Sequence, residues 1–326
     1  MKQLFRITED SGIPLIGTIM FGIIDRGTNL LQIRPTTICP LNCPFCSVDS
    51  GPLSKTRQLD YEVELNYLLR WVKEAVEFKK IPVEANIDSV GEPMAYPKII
   101  ELVQELAKMK GIYRVSMQSN GFLLTEEKID NLAKAGLYRL NLSMNSLDAD
   151  KARMLSGIES YDINKIASLA EHITKKTKIE LLIAPVWMPG VNDKDIEEII
   201  RFAKKIGARL GIQKYETYRY SRKIKAAKSD NWWKFYKKLE EIGKKHDIIL
   251  KISKQDFGIV AAERIPVKLD IGQKTDAKLV APGWLKGQMI GVANNRCITV
   301  NNCNKEIGQT VKIKIVENKN NIYIAE

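Results

Sequence analysis

The sequence predicts an α/β protein, a partial (β/α)6 barrel over residues 29–258 followed by a small all-β barrel over 264–326. Three observations carry this prediction. From Leu30 to about Lys245, apolar runs of strand length alternate with amphipathic helical stretches of about 10–15 residues, the pattern of βαβ units on a parallel sheet. Near Arg264-Ile-Pro266 the helical periodicity stops. Short β-rich pieces divided by Gly272, Gly283, Gly287, Gly291 and Gly308 follow. The length of 326 residues, with 44% hydrophobic and 28% charged, is enough for a sizeable core.

Residues 30–33 read as the first strand. The spacing of Leu65, Leu68, Leu69, Val72 and Val76 predicts a helix over 59–78. The remaining units read as strand 83–87 and helix 96–109, strand 113–118 and helix 125–135, then strand 137–144, where Leu140 and Leu142 alternate. Helix 163–176, strand 179–186, helix 193–206, strand 210–214 and a helix over 230–245 complete the set. Six such units favour a closed or partly open barrel over a doubly wound sheet. Residues 1–28 are expected to be a strand or hairpin extension. The apolar stretch 13–24 is short, holds two glycines and follows Glu9-Asp10. That suits a buried strand or hairpin, not a secretory signal or a span of about 20 apolar residues. The boundary to the small barrel is expected between 255 and 266.

Five cysteines are an odd, low count, and three fall within eight residues, in Thr37-Ile-Cys-Pro-Leu-Asn-Cys-Pro-Phe-Cys-Ser47. This is a metal or redox pattern, not a disulfide framework, and implies a reducing cytoplasm. Cys39, Cys43 and Cys46, at C-x3-C-x2-C spacing, suit an iron-sulfur cluster, which normally takes four thiolates. Three would leave one iron open. A zinc ion held by the same thiols and one distant ligand is the alternative, although the second C-x2-C half of a zinc knuckle is missing. Functional groups gather at the carboxyl ends of parallel strands. Ile87-Asp-Ser-Val-Gly-Glu-Pro93, Ser119-Asn-Gly121, Ser143-Met-Asn145 and Val186-Trp-Met-Pro-Gly190 all follow predicted strands. His172 and His246 fall in helical segments and read as structural.

The cysteine run, Gly91-Glu92-Pro93 and the six βα units resemble the radical S-adenosylmethionine (radical SAM) superfamily over about residues 29–255. The resemblance implies a 4Fe-4S cluster on Cys39, Cys43 and Cys46, with SAM chelating the fourth iron through its amine and carboxylate. One-electron cleavage of SAM then yields a 5′-deoxyadenosyl radical that abstracts hydrogen from substrate. It further implies that Phe45 packs on adenine and that Gly91, Glu92 and Pro93 receive the methionine ammonium. Many members carry two glycines there, and this chain has one. Ser119, Asn120, Ser143 and Asn145 would serve the ribose and the methionine carboxylate, Arg153 would pair with that carboxylate, and Val186 to Gly190 would touch adenine. Reduction needs an electron donor such as a ferredoxin or flavodoxin.

The C-terminal piece resembles a TRAM domain, an OB-like RNA-binding barrel. The residues that carry the likeness are Asp270-Ile-Gly272, Gly283 through Gly291 with Ala293, Ile307-Gly308 and Lys312-Ile-Lys-Ile-Val316. Trp284, Arg296 and Tyr323 would then stack on or pair with an RNA strand. Charge points the same way. Residues 201–254 hold 17 Lys or Arg against 5 Asp or Glu, which accounts for the whole net charge of +12. Lys214, Tyr215, Tyr218, Arg219, Tyr220, Arg222, Lys223, Lys225 and Lys228 interleave cations with rings, as phosphates and flipped bases require. A solvated lysine-rich surface, common in thermophile proteins, is the plainer reading. Together these features make a radical SAM enzyme that modifies an RNA, tRNA first, the leading expectation, with no membrane partner.

Two alternatives stay open. Asn141-Leu-Ser-Met-Asn-Ser-Leu-Asp148 resembles the molybdenum-cofactor cyclase branch, which implies a small nucleotide or peptide substrate. The other is an RNA-binding protein with a structural metal. The tRNA methylthiotransferases, which also carry TRAM domains, have three further cysteines ahead of the barrel, and none precedes Cys39 here. Cys297 and Cys303 are candidates for a methyl relay of the kind found in the RNA adenine methylases, or else small hydrophobes of the little barrel.

Overall fold

The computed structural model describes residues 2–326. By contact they divide into two compact units, one of residues up to 38, 55–115 and 259–326, the other of 39–54 and 116–258.

In the first unit β1 (Gln3–Ile7) is followed by β2 (Gly22–Asp25), β3 (Leu30–Arg34), β4 (Leu59–Val63), α1 (Leu65–Lys79), β5 (Val83–Ile87) and α2 (Ile99–Lys108). β3 and β5 pair in parallel, Leu30 opposite Glu84 through Ile33 opposite Ile87, and β2 lies antiparallel on the other side of β3. β5 is buried along its whole length, as a parallel strand covered on both faces must be. The helix expected over 59–78 starts only at Leu65. Leu59, Tyr61 and Val63 alternate with Asp60 and Glu62, a period of two, and this stretch pairs in parallel with β1. Glu64 then caps α1 by accepting the amides of Asn66 and Tyr67. Residues 13–21 are mostly buried loop ahead of β2.

β6 (Ile112–Ser119) begins in the first unit and ends in the second. The second unit continues with α3 (Glu126–Ala135), β7 (Leu137–Leu142), α4 (Ala149–Ser156), α5 (Ile163–Lys176), β8 (Glu180–Ile183) and β9 (Val186–Trp187). It ends with α6 (Asp193–Ile206), β10 (Arg209–Leu210), β11 (Gln213–Lys214) and α7 (Trp232–His246). β7, β8 and β10 run parallel, as do β9 and β11. The strand expected over 179–186 breaks before Val186 because Pro185 has no N–H to give a ladder. α4 escaped the periodicity. It is short, and Asp148 fixes its start by accepting the Lys151 amide. The strongly periodic helices α3, α5 and α6 fall where the sequence places them.

The C-terminal part of the first unit holds β12 (Lys274–Pro282), β13 (Met289–Ala293), β14 (Arg296–Val300), β15 (Thr310–Glu317) and β16 (Ile324–Ala325). They close into a five-stranded barrel, an arrangement compatible with an OB-like domain. Its core is built on Leu279, Ile298, Ile313, Ile315 and Tyr323. The barrel is tied to the N-terminal residues of its own unit. Cys297 N donates to Ile16 O at 2.9 Å, and Tyr323 N donates to Gly17 O at 2.8 Å. A Cβ at Gly17 would lie 1.8 Å from Cys297 O, so glycine is needed for this approach. Among the described residues no helix is long and apolar enough to cross a membrane.

Candidate cluster and cofactor site

The cysteine loop, 39–54, belongs to the second unit and is fastened from three sides within it. Internally, Cys46 N donates to Cys43 O at 3.1 Å, and Ser50 N donates to the Cys46 sulfur at 3.2 Å. From α4, Ser156 O accepts Asn42 N at 2.9 Å. Gly157 follows at φ +72°, where a Cβ would meet Asn42 O at 2.3 Å. From the segment after β11, Arg222 N donates to Cys46 O at 2.9 Å. The Arg222 guanidinium donates to Ser50 O and lies 3.4 Å from Asp49 Oδ1. Ser221 Oγ donates to Ser47 O at 2.9 Å. The Asn120 amide stands 3.9 Å from the Cys39 sulfur.

None of the three cysteines is in a disulfide, and all are half-buried. N–H groups directed at sulfur stabilise thiolates and are one of the ways a protein tunes a cluster.

In the first unit, the loop after β5 is built on Asp88 and Ser89. Asp88 accepts from Arg34 and from Gln32, each at 2.7 Å, and from Ser89 N at 2.6 Å. Ser89 Oγ donates to Thr36 O and accepts Gly91 N at 2.8 Å. Glu92 N donates to Ile38 O at 2.7 Å. The buried Glu92 carboxylate accepts Met94 N and so caps the turn Pro93–Ala95. Gly91 has no room for a side chain, since a Cβ would fall 2.3 Å from Ile38 O and 2.4 Å from Thr37 O. Gly91-Glu92-Pro93 is thus bonded to the residues that lead directly into Cys39.

The other expected cofactor residues share the second unit with the cysteines. Phe45 packs against the buried cluster of Leu155, Met188 and Tyr215, as do Ile224 and Ala227. Ser119 Oγ and Asn120 Oδ1 accept the amides of Gly121 and Phe122 at 3.0 Å. Ser143 N donates to Ser119 O. Asn145 Oδ1 accepts Val186 N at 2.8 Å, which joins the end of β7 to β9. Arg153 pairs with Asp150 one turn earlier on α4.

Several expected contacts change on this evidence. Trp284, Arg296 and Tyr323 are buried. The Arg57 guanidinium covers the Trp284 ring at 3.4 Å from its centroid. Arg296 donates to Asn295 O and Pro266 O. The Tyr323 hydroxyl donates to Asn321 and accepts from Lys268 N. None of the three presents a free face to an RNA strand. Arg222 holds the cysteine loop, and Lys214 is ion-paired with Glu216 at 3.2 Å, its side chain nearly buried. Tyr218, Arg219 and Lys223 are exposed as expected.

The relay role of Cys297 is also overturned. Its thiol is fully buried, and burial pushes its pKa far up. A relay needs thiolate, and apolar burial suppresses it. Cys303 packs against the barrel core. Sequence reasoning missed Asp88, Ser89 and Ser221, and it took Arg222 for an RNA contact. Asp88 and Ser89 lie inside the strand-end run already singled out, whereas nothing local to Ser221 or Arg222 points to the cysteine loop.

The sequence profile of the Radical SAM superfamily matches residues 33–203, more than half of the chain. The chain belongs to the radical SAM superfamily. It is 43% identical to the uncharacterised protein MJ0103 of Methanocaldococcus jannaschii, over 96% of this chain and 78% of that one. It is 29% identical to the GTP 3′,8-cyclase of Clostridium botulinum over 180 residues, 55% of this chain and 54% of the cyclase. Among solved structures, SuiB of Streptococcus suis has a TM-score of 0.55 at 20% identity, over 69% of this chain and 48% of SuiB. A radical SAM methyltransferase of Sphaerobacter thermophilus has a TM-score of 0.53 at 17% identity, over 69% of this chain and 65% of that chain. The chain thus spans about half the length of the cyclase and of SuiB, and the structural likenesses establish the α/β radical SAM fold alone.

Radical SAM enzymes use a 4Fe-4S cluster and SAM, and this donor set fits them. Cys39, Cys43 and Cys46 would hold the cluster. Bound together, the two supply a carbon-centred radical able to take hydrogen from an unactivated C–H bond. The chain's own part is to keep the thiolates in place through Ser50 N, Asn120 and the Arg222 strap. It also fixes the Gly91–Pro93 backbone through Asp88 and Ser89.

Removing the strap tests its role. Arg222→Ala is expected to fold but to release iron to a chelator at least several-fold faster than the parent, with Arg222→Lys in between. Equal iron release in all three proteins would show that the strap does not hold the loop.

Proposed function

We propose that this radical SAM enzyme modifies a base of an RNA, tRNA first, with electrons from a ferredoxin or flavodoxin. The observation that carries the reading is unneutralised charge. Arg219, Lys223, Lys225, Lys228 and Lys234 fall within sixteen residues, and among the described residues no carboxylate lies in ion-pair range of any of them. A thermophile-type surface network would pair such cations. Left unpaired, they suit a polyanion. The closed C-terminal barrel supports a TRAM-like role. Its exposed β12 and β15 faces set Lys274 opposite Lys314, a like-charge pair, and Lys278 opposite Thr310, while Lys312 is opposed by Asp276.

The test compares nucleosides of tRNA from cells with and without the gene, by mass spectrometry. One modified nucleoside is expected to vanish and its precursor to appear. An unchanged profile would remove the tRNA reading. The likeness to GTP 3′,8-cyclase favours a second reading, a nucleotide substrate. Reductive turnover of GTP by the purified enzyme, with tRNA unchanged, would establish it.

A further inference from the structure

The start of α7 leaves in solvent what a core helix buries. Phe235, Leu239 and Gly243, four residues apart, form its buried face. Trp232 and Trp233 lie off that face, 51% and 70% exposed, and Tyr236 is also exposed. The loop before the helix adds Tyr218, 58% exposed, and Tyr220. These rings lie outside the buried face of the helix, and large apolar surface left in water marks an interaction site.

Two of the rings stack on each other. Trp232 stacks on Tyr236 with centroids 5.6 Å apart and planes 27° apart, and it meets Phe235 edge-on. Cations attend them. Lys214 lies over Trp232 at 4.9 Å, Lys237 over Trp233 at 5.4 Å, and Arg219 over Tyr220 at 5.3 Å. The five unpaired cations at 219–234 are interleaved with the same rings. A lipid surface would need an aliphatic face with Leu and Phe beside the aromatics. Here the rings are flat, stacked and interspersed with cations, the combination that accepts successive bases and their phosphates.

We propose that the surface of residues 218–237, centred on Trp232 and Trp233, is a stacking platform for an unpaired stretch of RNA. The proposal rests on the RNA reading above and narrows it to single-stranded or looped substrate. The same segment carries Ser221 and Arg222, which hold the cysteine loop. A strand on the platform therefore lies on the polypeptide that fixes Cys46, and its binding should register in the cluster's spectrum.

The test uses the full-length, cluster-loaded protein and a fluorescent twelve-nucleotide single-stranded RNA, with a hairpin duplex of the same composition as comparison. The single strand is expected to bind more tightly than the duplex, to quench tryptophan fluorescence and to perturb the reduced cluster's electron paramagnetic resonance. Trp232→Ala and Trp233→Ala are each expected to weaken single-strand binding about 5- to 100-fold, and Trp→Phe at each site to retain most of it.

Unchanged affinity in the double alanine variant would overturn the proposal, as would binding to anionic lipid vesicles in preference to RNA. If the double variant still modifies tRNA fully in cells, the platform fails while the tRNA reading stands. If the platform binds RNA but the tRNA profile never depends on the gene, the platform stands and the tRNA reading fails.

Discussion

A Gly91→Ala variant is expected to lose reductive SAM cleavage by on the order of 100-fold while remaining folded. The added methyl would sit 2.3 Å from Ile38 O and 2.4 Å from Thr37 O. Both obstacles are backbone, so no side-chain rotation relieves them. Either the Gly91–Pro93 loop or the Thr37–Ile38 segment must move. That segment is bonded to Glu92 at 2.7 Å and runs straight into the first cysteine. Overpacking of this kind costs about 1–3 kcal/mol of stability, too little to unfold a chain of this size. The loss should therefore appear in SAM affinity, measured by equilibrium dialysis, and in deoxyadenosine formed with dithionite. Parental values in both measurements would mean that the loop does not serve the cofactor.

Lys79→Met is expected to lower stability by about 3–5 kcal/mol, because it strands a buried carboxylate. Lys79 is fully buried at the end of α1 and donates to Asp25 at 2.6 Å and to Glu263 O at 2.7 Å. Asp25 also accepts Gly27 N and Ile265 N. One buried pair thus fastens the strand end of β2 to the segment that leads into the C-terminal barrel, all within the first unit. The melting temperature should fall by about 5–15 °C, and proteolysis should begin near residues 259–266. Adding Asp25→Asn should restore part of the loss. Asparagine carries no charge, but it keeps an acceptor for only one of the two amides, which bond to different carboxylate oxygens. A melting temperature within about 2 °C of the parent would mean that the pair is dispensable.

Much of this protein was legible before any fold was known. The cysteine spacing and the strand-end run Ile87–Pro93 marked the chemistry. Helices α3, α5 and α6 were placed because capping and a 3.6-residue period are local properties of the chain. The failures share one cause. Residues 59–63 alternate with period two, yet the helical spacing just beyond masked them. Their partner, β1, lies more than fifty residues away.

The same holds for individual side chains. Arg222 and Lys223 are neighbours in a basic run, and composition cannot separate them. One holds the cysteine loop and the other faces solvent. Trp284 and Tyr323 matched an aromatic binding pattern and proved to be core, while Trp232 and Trp233 drew no attention and stand exposed. The sequence alone determined the βα alternation, the candidate sulfur ligands and the sign and place of the charge, because these depend on residue type and spacing. Only the tertiary structure decided which rings and cations are free to meet a partner, because burial and ion pairing depend on residues far away in the chain.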